Sequence, residues 1–138
     1  MKNALRNAER WIRQAGYDLQ QAERMLEQGV FSYAAFFAEQ AAQKSLKAFL
    51  LSRGRRFVPV HSVAELAREA ASLEGRFAPL IDPARRLDRH YLTSRYPDAL
   101  PEPAIPAEAY TRQDAEEAAA TARSIVEIAR AEINLARP

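Results

Sequence analysis

The sequence predicts an all-α protein: an antiparallel up-and-down bundle of four to five helices, with a proline-rich loop before the last long helix. Three observations predict it. Apolar residues recur at steps of three and four over long stretches. No segment sustains period-two alternation with β-branched residues. Four of the eight prolines fall between Pro97 and Pro106, just ahead of the final periodic run. With 138 residues, 48% of them hydrophobic and 28% charged, the chain is long enough to bury a core, and a single domain over 1–138 is expected.

The first helix is expected over Asn3–Glu27, where Leu5, Ala8, Trp11, Ile12, Ala15, Leu19, Ala22 and Leu26 form one apolar stripe. Gly29 stands where a left-handed terminating residue is wanted. A second helix is expected over about Ser32–Ser52, closed by Gly54. Its broad apolar face (Ala34, Phe37, Ala41, Leu46, Ala48, Phe49) predicts the most buried helix of the chain. Ser62 and Glu65 have capping-box spacing and open a short helix to about Ser72. Asp82-Pro83 reads as an N-cap followed by proline at the first helical position. The helix it starts carries Leu87 and Tyr91 inward and ends before Pro97. Prolines then rule out regular structure to Pro106. Thr111 and Asp114 open the last helix, whose inner stripe is Ala115, Ala118, Ala122, Ile125, Ala129 and Ile133.

Composition narrows the chemistry. Without cysteine there is no disulfide framework, thiolate nucleophile or cysteine zinc site. The richest apolar stretch, Phe31–Leu51, is interrupted by Glu39, Gln40, Gln43, Lys44 and Lys47, so no membrane span is expected. The charged N-terminus does not read as a secretory signal, and a cytoplasmic location is expected. The net charge of +2 is too small to indicate nucleic-acid binding by itself; clustering is what matters. Two histidines without carboxylates at ligand spacing make a poor metal site, and neither metal nor cofactor is expected. The four glycines form no phosphate-binding loop.

Two polar features remain. Gln40, Lys44 and Lys47, spaced i, i+4, i+7, share one face of the second helix. They read either as a solvated stripe with snorkelling lysines or as the lining of a groove for a phosphate or an acidic partner. The second feature is the run Arg85, Arg86, Asp88, Arg89, His90, Tyr91, followed by Ser94-Arg95-Tyr96-Pro97-Asp98. Arginine forks fit phosphates and tyrosine faces stack on bases. The same run also reads as a charged face paired with Glu65, Glu69 or Glu116.

Trp11, Ala15, Asp18, Leu19, Ala22, Leu26 and Gly29, followed by Ser32-Tyr33-Ala34-Ala35-Phe36-Phe37-Ala38-Glu39-Gln40-Ala41-Ala42-Gln43-Lys44-Ser45-Leu46-Lys47-Ala48, resemble the opening hairpin of HEPN domains. The likeness continues through His61-Ser62, Leu66, Tyr91, Thr93-Ser94-Arg95-Tyr96-Pro97-Asp98, Tyr110 and the alanine-rich last helix, over roughly 8–133. The resemblance implies an up-and-down helical bundle, often a homodimer. It implies one of two roles. The first is a nucleotide- or RNA-phosphate-binding module acting with a minimal nucleotidyltransferase chain, as in toxin–antitoxin pairs. Here Gln40, Lys44, Lys47, Arg95, Tyr96 and Asp98 would hold the ligand. The second is a metal-independent ribonuclease toxin whose arginine and histidine, four to six residues apart, would be Arg85 and His90. Arg85 is followed by Arg86 rather than Asn or Asp, and no histidine follows Arg95. The binding module is the preferred expectation; a purely structural dimerisation domain is the third class.

Overall fold

The computed structural model describes residues 2–56 and 58–137. Two long helices form the opening hairpin, α1 (Lys2–Glu27) and α2 (Phe31–Ser52). Gly29, at φ 78°, ends α1 as expected: its N–H donates to Leu26 O at 3.1 Å and that of Val30 to Met25 O at 2.8 Å. These are the paired bonds of a Schellman terminus, which only a residue tolerant of positive φ closes without strain. Gly54, at φ 96°, ends α2 in the same way. So short a connection folds α2 back against α1, where Ile12, Ala15, Leu19 and Ala22 meet its alanines.

Helix α3 (Val63–Leu73) starts at Ser62, whose hydroxyl accepts from Glu65 N as the capping-box spacing predicts. The next two N–H groups of the helix are closed from elsewhere in the chain. The Asp88 carboxylate accepts from Val63 N at 2.6 Å, from Ala64 N at 3.1 Å and from the Ser62 hydroxyl at 2.8 Å. A 3₁₀ turn over Gly75–Leu80 buries Phe77 against Phe49, ring centres 4.8 Å apart, and runs directly into α4 (Ile81–Asp88). Asp82 therefore lies inside the first turn of α4 rather than capping it. Pro83 is accommodated because first-turn N–H groups need no helical partner.

The expected single helix through Tyr91 is two, α4 and α5 (His90–Thr93), separated by a turn at Arg89 that keeps helical backbone angles. Leu87 is buried as predicted, but Tyr91 is 46% exposed. The inward stripe runs Leu87, His90, Ser94 at i, i+3, i+7, which leaves Tyr91 at the edge against Phe36. The Pro97–Pro106 segment was expected to be irregular, yet it opens with a 3₁₀ turn at Pro97–Ala99. Pro106 likewise starts the one-turn α6 (Pro106–Ala109). Proline begins both, at a first-turn position where its missing N–H costs nothing and its fixed φ suits the helix.

Helix α7 (Arg112–Leu135) carries the full Thr111–Asp114 capping box and buries the whole predicted stripe from Ala115 to Ile133. Its Glu132 accepts from Arg53 at 2.7 Å and Arg76 at 3.1 Å, pinning the end of α2 and the 3₁₀ turn to α7. α2 lies at the centre, in contact with α1, α3 and α7. No helix among the described residues is long and apolar enough to cross a membrane.

Candidate active site

Helices α4 and α5 face the end of α6 and the first turns of α7 across a cavity of about 340 Å³. His90 stands in its wall with Arg86, Arg89, Thr93, Tyr110 and Asp114. Arg86 lies four residues before His90, so a near-continuous helical course puts both on one face. Arg85 is on another face, exposed and paired with Asp82 at 3.0 Å, and does not line the cavity.

A chain of hydrogen bonds fixes the protonation pattern of the imidazole. The Thr93 hydroxyl donates its one proton to the Arg89 carbonyl, which can only accept. The 2.8 Å contact between Thr93 Oγ1 and the Tyr110 hydroxyl must therefore be donated by Tyr110. Tyr110, its proton spent, accepts across the 2.7 Å contact from His90 Nδ1–H. The neutral ring thus carries its proton on Nδ1 and leaves Nε2 as a free acceptor. Nε2 has no partner among the described residues, and no half-exposed residue leaves a buried side-chain nitrogen or oxygen unpaired, so Nε2 opens to the cavity. Burial lowers the His90 pKa below the usual histidine value of 6.5, with Arg89 acting the same way and Asp114 and Glu117 opposing. Burial likewise raises the Tyr110 hydroxyl above its ordinary 10.0, which keeps it a neutral link.

The cavity lining is charge-balanced, with Arg86 and Arg89 against Asp114 and Glu117. Asp114 is tied up at 2.9 Å by the Thr111 N–H in the cap of α7. The arrangement places an unprotonated imidazole nitrogen in one cavity wall with two guanidinium groups, a potential base beside potential donors to phosphate.

The other predicted site residues are distributed differently. Gln40 donates to Glu39 at 2.8 Å. Glu39 is 1% exposed, also accepts from Gln43 at 2.9 Å, and its carboxyl is held above the usual 4.5 chiefly by burial. Lys44 pairs with Asp18 at 2.6 Å. Lys47 is buried, 3.2 Å from His61 Nδ1 and 5.7 Å above the Trp11 ring, and its pKa falls below 10.5 through burial. Trp11 separates the lysines into two concavities, about 600 Å³ on the Lys44 side and about 290 Å³ on the Lys47 side. Arg95 lines a third, near the start of α2. Its Nε and Nη2 both donate to Tyr91 O, at 3.0 and 2.7 Å, while its guanidinium rests 4.2 Å from the Phe36 ring centre and 4.9 Å from that of Tyr96. Asp98 is exposed in the turn after Pro97. Lys44, Lys47 and Arg95 thus line three different concavities. Among the described residues no group of three or more His, Asp or Glu side chains is placed to hold a metal ion.

The fold defines an all-helical domain, and His90 centres one of its cavities. The family profile of the HEPN domain matches residues 8–132, and the chain belongs to that family. It is 27% identical over 132 residues to "Putative toxin MJ1304" of Methanocaldococcus jannaschii, covering 90% of this chain and 86% of that protein. The crystal structure of TT1696 from Thermus thermophilus superposes with a TM-score of 0.81 at 34% identity, covering 91% of this chain and 97% of that one. That of ST0689, an archaeal HEPN homologue, gives 0.74 at 33% identity with the same coverage.

Proposed function

We propose that the chain is a toxin-like HEPN ribonuclease that cuts RNA without a metal, using His90 as its base. One observation carries this reading: the Tyr110–Thr93–Arg89 chain that holds the His90 proton on Nδ1 and leaves Nε2 open beside Arg86 and Arg89. Nε2 takes the proton of a ribose 2′-hydroxyl. The O2′–phosphorus bond forms, the phosphorus–O5′ bond breaks, and the 5′ oxygen collects a proton from solvent. Arg86 and Arg89 stabilise the charge that gathers on the phosphoryl oxygens. Arg85, exposed and paired with Asp82, has a supporting role at most within one chain. The name of the Methanocaldococcus jannaschii relative agrees with a toxin.

The binding-module reading keeps one specific support. The Arg95 guanidinium, stacked among Phe36, Tyr91 and the half-exposed Tyr96, offers a platform for a base and phosphate of a nucleotide, or for a minimal nucleotidyltransferase partner. Lys44, Lys47 and Gln40 support it less, since each is already engaged within the chain. Homodimerisation would complement either reading.

Expression toxicity and RNA cleavage in the presence of chelator, compared between the wild-type chain and His90→Ala, separate the two. Wild-type cleavage that falls by at least about 10²-fold in the variant is the expected result. Equal, negligible activity in both would return the assignment to the binding module.

A further inference from the structure

Helix α1 carries on its outer side Arg6, Arg10, Arg13, Tyr17, Gln20 and Arg24, at successive steps of four, three, four, three and four, and all six are exposed. That spacing aligns them in one stripe about 27 Å long at the helical rise of 1.5 Å per residue. Three carboxylates of α1 are paired with cations from elsewhere in the fold, while Glu27, at the end of the stripe, and Glu127, in the groove toward α7, take part in no ion pair among the described residues. Arg137 holds Glu9 at 3.0 Å, Lys44 holds Asp18 at 2.6 Å, and Arg123 holds Glu23. Among the described residues, Arg10, Arg13 and Arg24 take part in no ion pair. The net charge of +2 therefore conceals a local asymmetry, with this helix face left positive from Arg6 to Arg24.

Grooves run along both sides of this stripe. One, of about 600 Å³, lies between α1 and Lys44 of α2 and includes Trp11. The other, of about 500 Å³, lies toward α7, and Arg13 and Tyr17 border both. Arg130 of α7 reaches over α1 at Gly16, where a Cβ would lie only 2.8 Å from its Nη2. Arg13 and Arg130 line the same groove. Neither groove shares a residue with the His90 cavity.

We propose that this face of α1 is a binding surface for the backbone of single-stranded RNA, with Tyr17, 57% exposed, as a stacking face for a base. Guanidinium forks suit phosphate oxygens, and an aromatic set among them suits a nucleobase, whereas an acidic protein would leave Tyr17 without a role. The surface rests on the reading of RNA as substrate and extends it: it holds the strand while the His90 cavity cuts.

The test is binding of a short fluorescent single-stranded RNA to His90→Ala, measured by anisotropy between about 50 and 200 mM salt. The same chain carrying Arg10→Ala, Arg13→Ala and Arg24→Ala is compared. All three positions are exposed, and circular dichroism checks the fold. The triple variant is expected to bind at least tenfold more weakly. Its salt slope should be smaller by about 2, since each lost contact to a single strand removes about 0.7. Tyr17→Ala should weaken binding with an unchanged slope, and Tyr17→Phe should bind like the parent. Equal binding by parent and triple variant overturns the proposal, as does a parent that binds polyglutamate but not RNA. Because the parent is His90→Ala, a failure of cleavage chemistry leaves this readout intact. A stripe that fails here while the wild type still cuts RNA removes the surface and not the nuclease.

Discussion

At the scale of single residues, the hydroxyl of Tyr110 determines what His90 can do. It accepts the Nδ1 proton only because Thr93 and the Arg89 carbonyl take its own. Tyr110→Phe removes that acceptor and leaves the ring free to adopt the other tautomer. Cleavage is expected to fall on the order of 10- to 100-fold, as when an orienting partner is lost elsewhere, with substrate affinity little changed. The pH dependence follows from the direction of the His90 shift. A base whose pKa lies below the usual 6.5 is already unprotonated at neutrality, so cleavage should be at its plateau at pH 7 and fall on acidification with a midpoint below 6.5. The sign for stability is the same. The folded chain binds this proton less readily than the unfolded chain, so the contribution is fully present above 6.5 and is lost as pH falls toward the folded value. A rate profile with its midpoint above 6.5 would contradict this assignment. Arg85→Ala should leave activity close to wild type, whereas Arg86→Ala should reduce it, since only Arg86 lines the cavity.

At the scale of elements, local signals set most helix boundaries, and one long-range contact refines them. Gly29, Gly54, Ser62 and Thr111 all act where the sequence places them, because each works through its own turn of backbone. Asp88 works across 24 to 26 residues, closing the N-terminus of α3 with three bonds, and no spacing rule reveals it. Asp88→Ala should therefore lower stability by about 1–2 kcal/mol, and more than Ser62→Ala does, when both are measured by chemical denaturation. If Ser62→Ala is the more damaging of the two, the local capping box rather than Asp88 sustains α3. Tyr91 shows the same limit of local reading. Periodicity counted from Leu87 permits either i+3 or i+4 as the inward position. The fold takes His90, whose ring finds a partner in Tyr110 beyond the proline segment.

At the scale of the whole molecule, the class of fold, the central position of α2 and the α7 stripe were legible in the sequence, because hydrophobic periodicity is a property of each helix alone. The site was legible only in part. His90 and its arginine-rich neighbourhood were visible, but the choice of Arg86 over Arg85 depends on how α4 and α5 join. The role of Tyr110 depends on the path of the chain from Pro97 to Pro106. Gln40, Lys44 and Lys47 did share a helix spacing, yet the fold gives each a partner of its own. A helical scaffold thereby brings residues 20 positions apart into one hydrogen-bonded chain around a single imidazole.

The central claim is that this imidazole activates a ribose hydroxyl. The most direct measurement is the identity of the RNA ends produced by the purified chain in chelator, read by mass spectrometry beside His90→Ala. Cyclic 2′,3′-phosphate and 5′-hydroxyl ends, made by the wild type and missing from the variant, are the predicted result. Intact RNA with the wild type, or the same ends from both proteins, would contradict it.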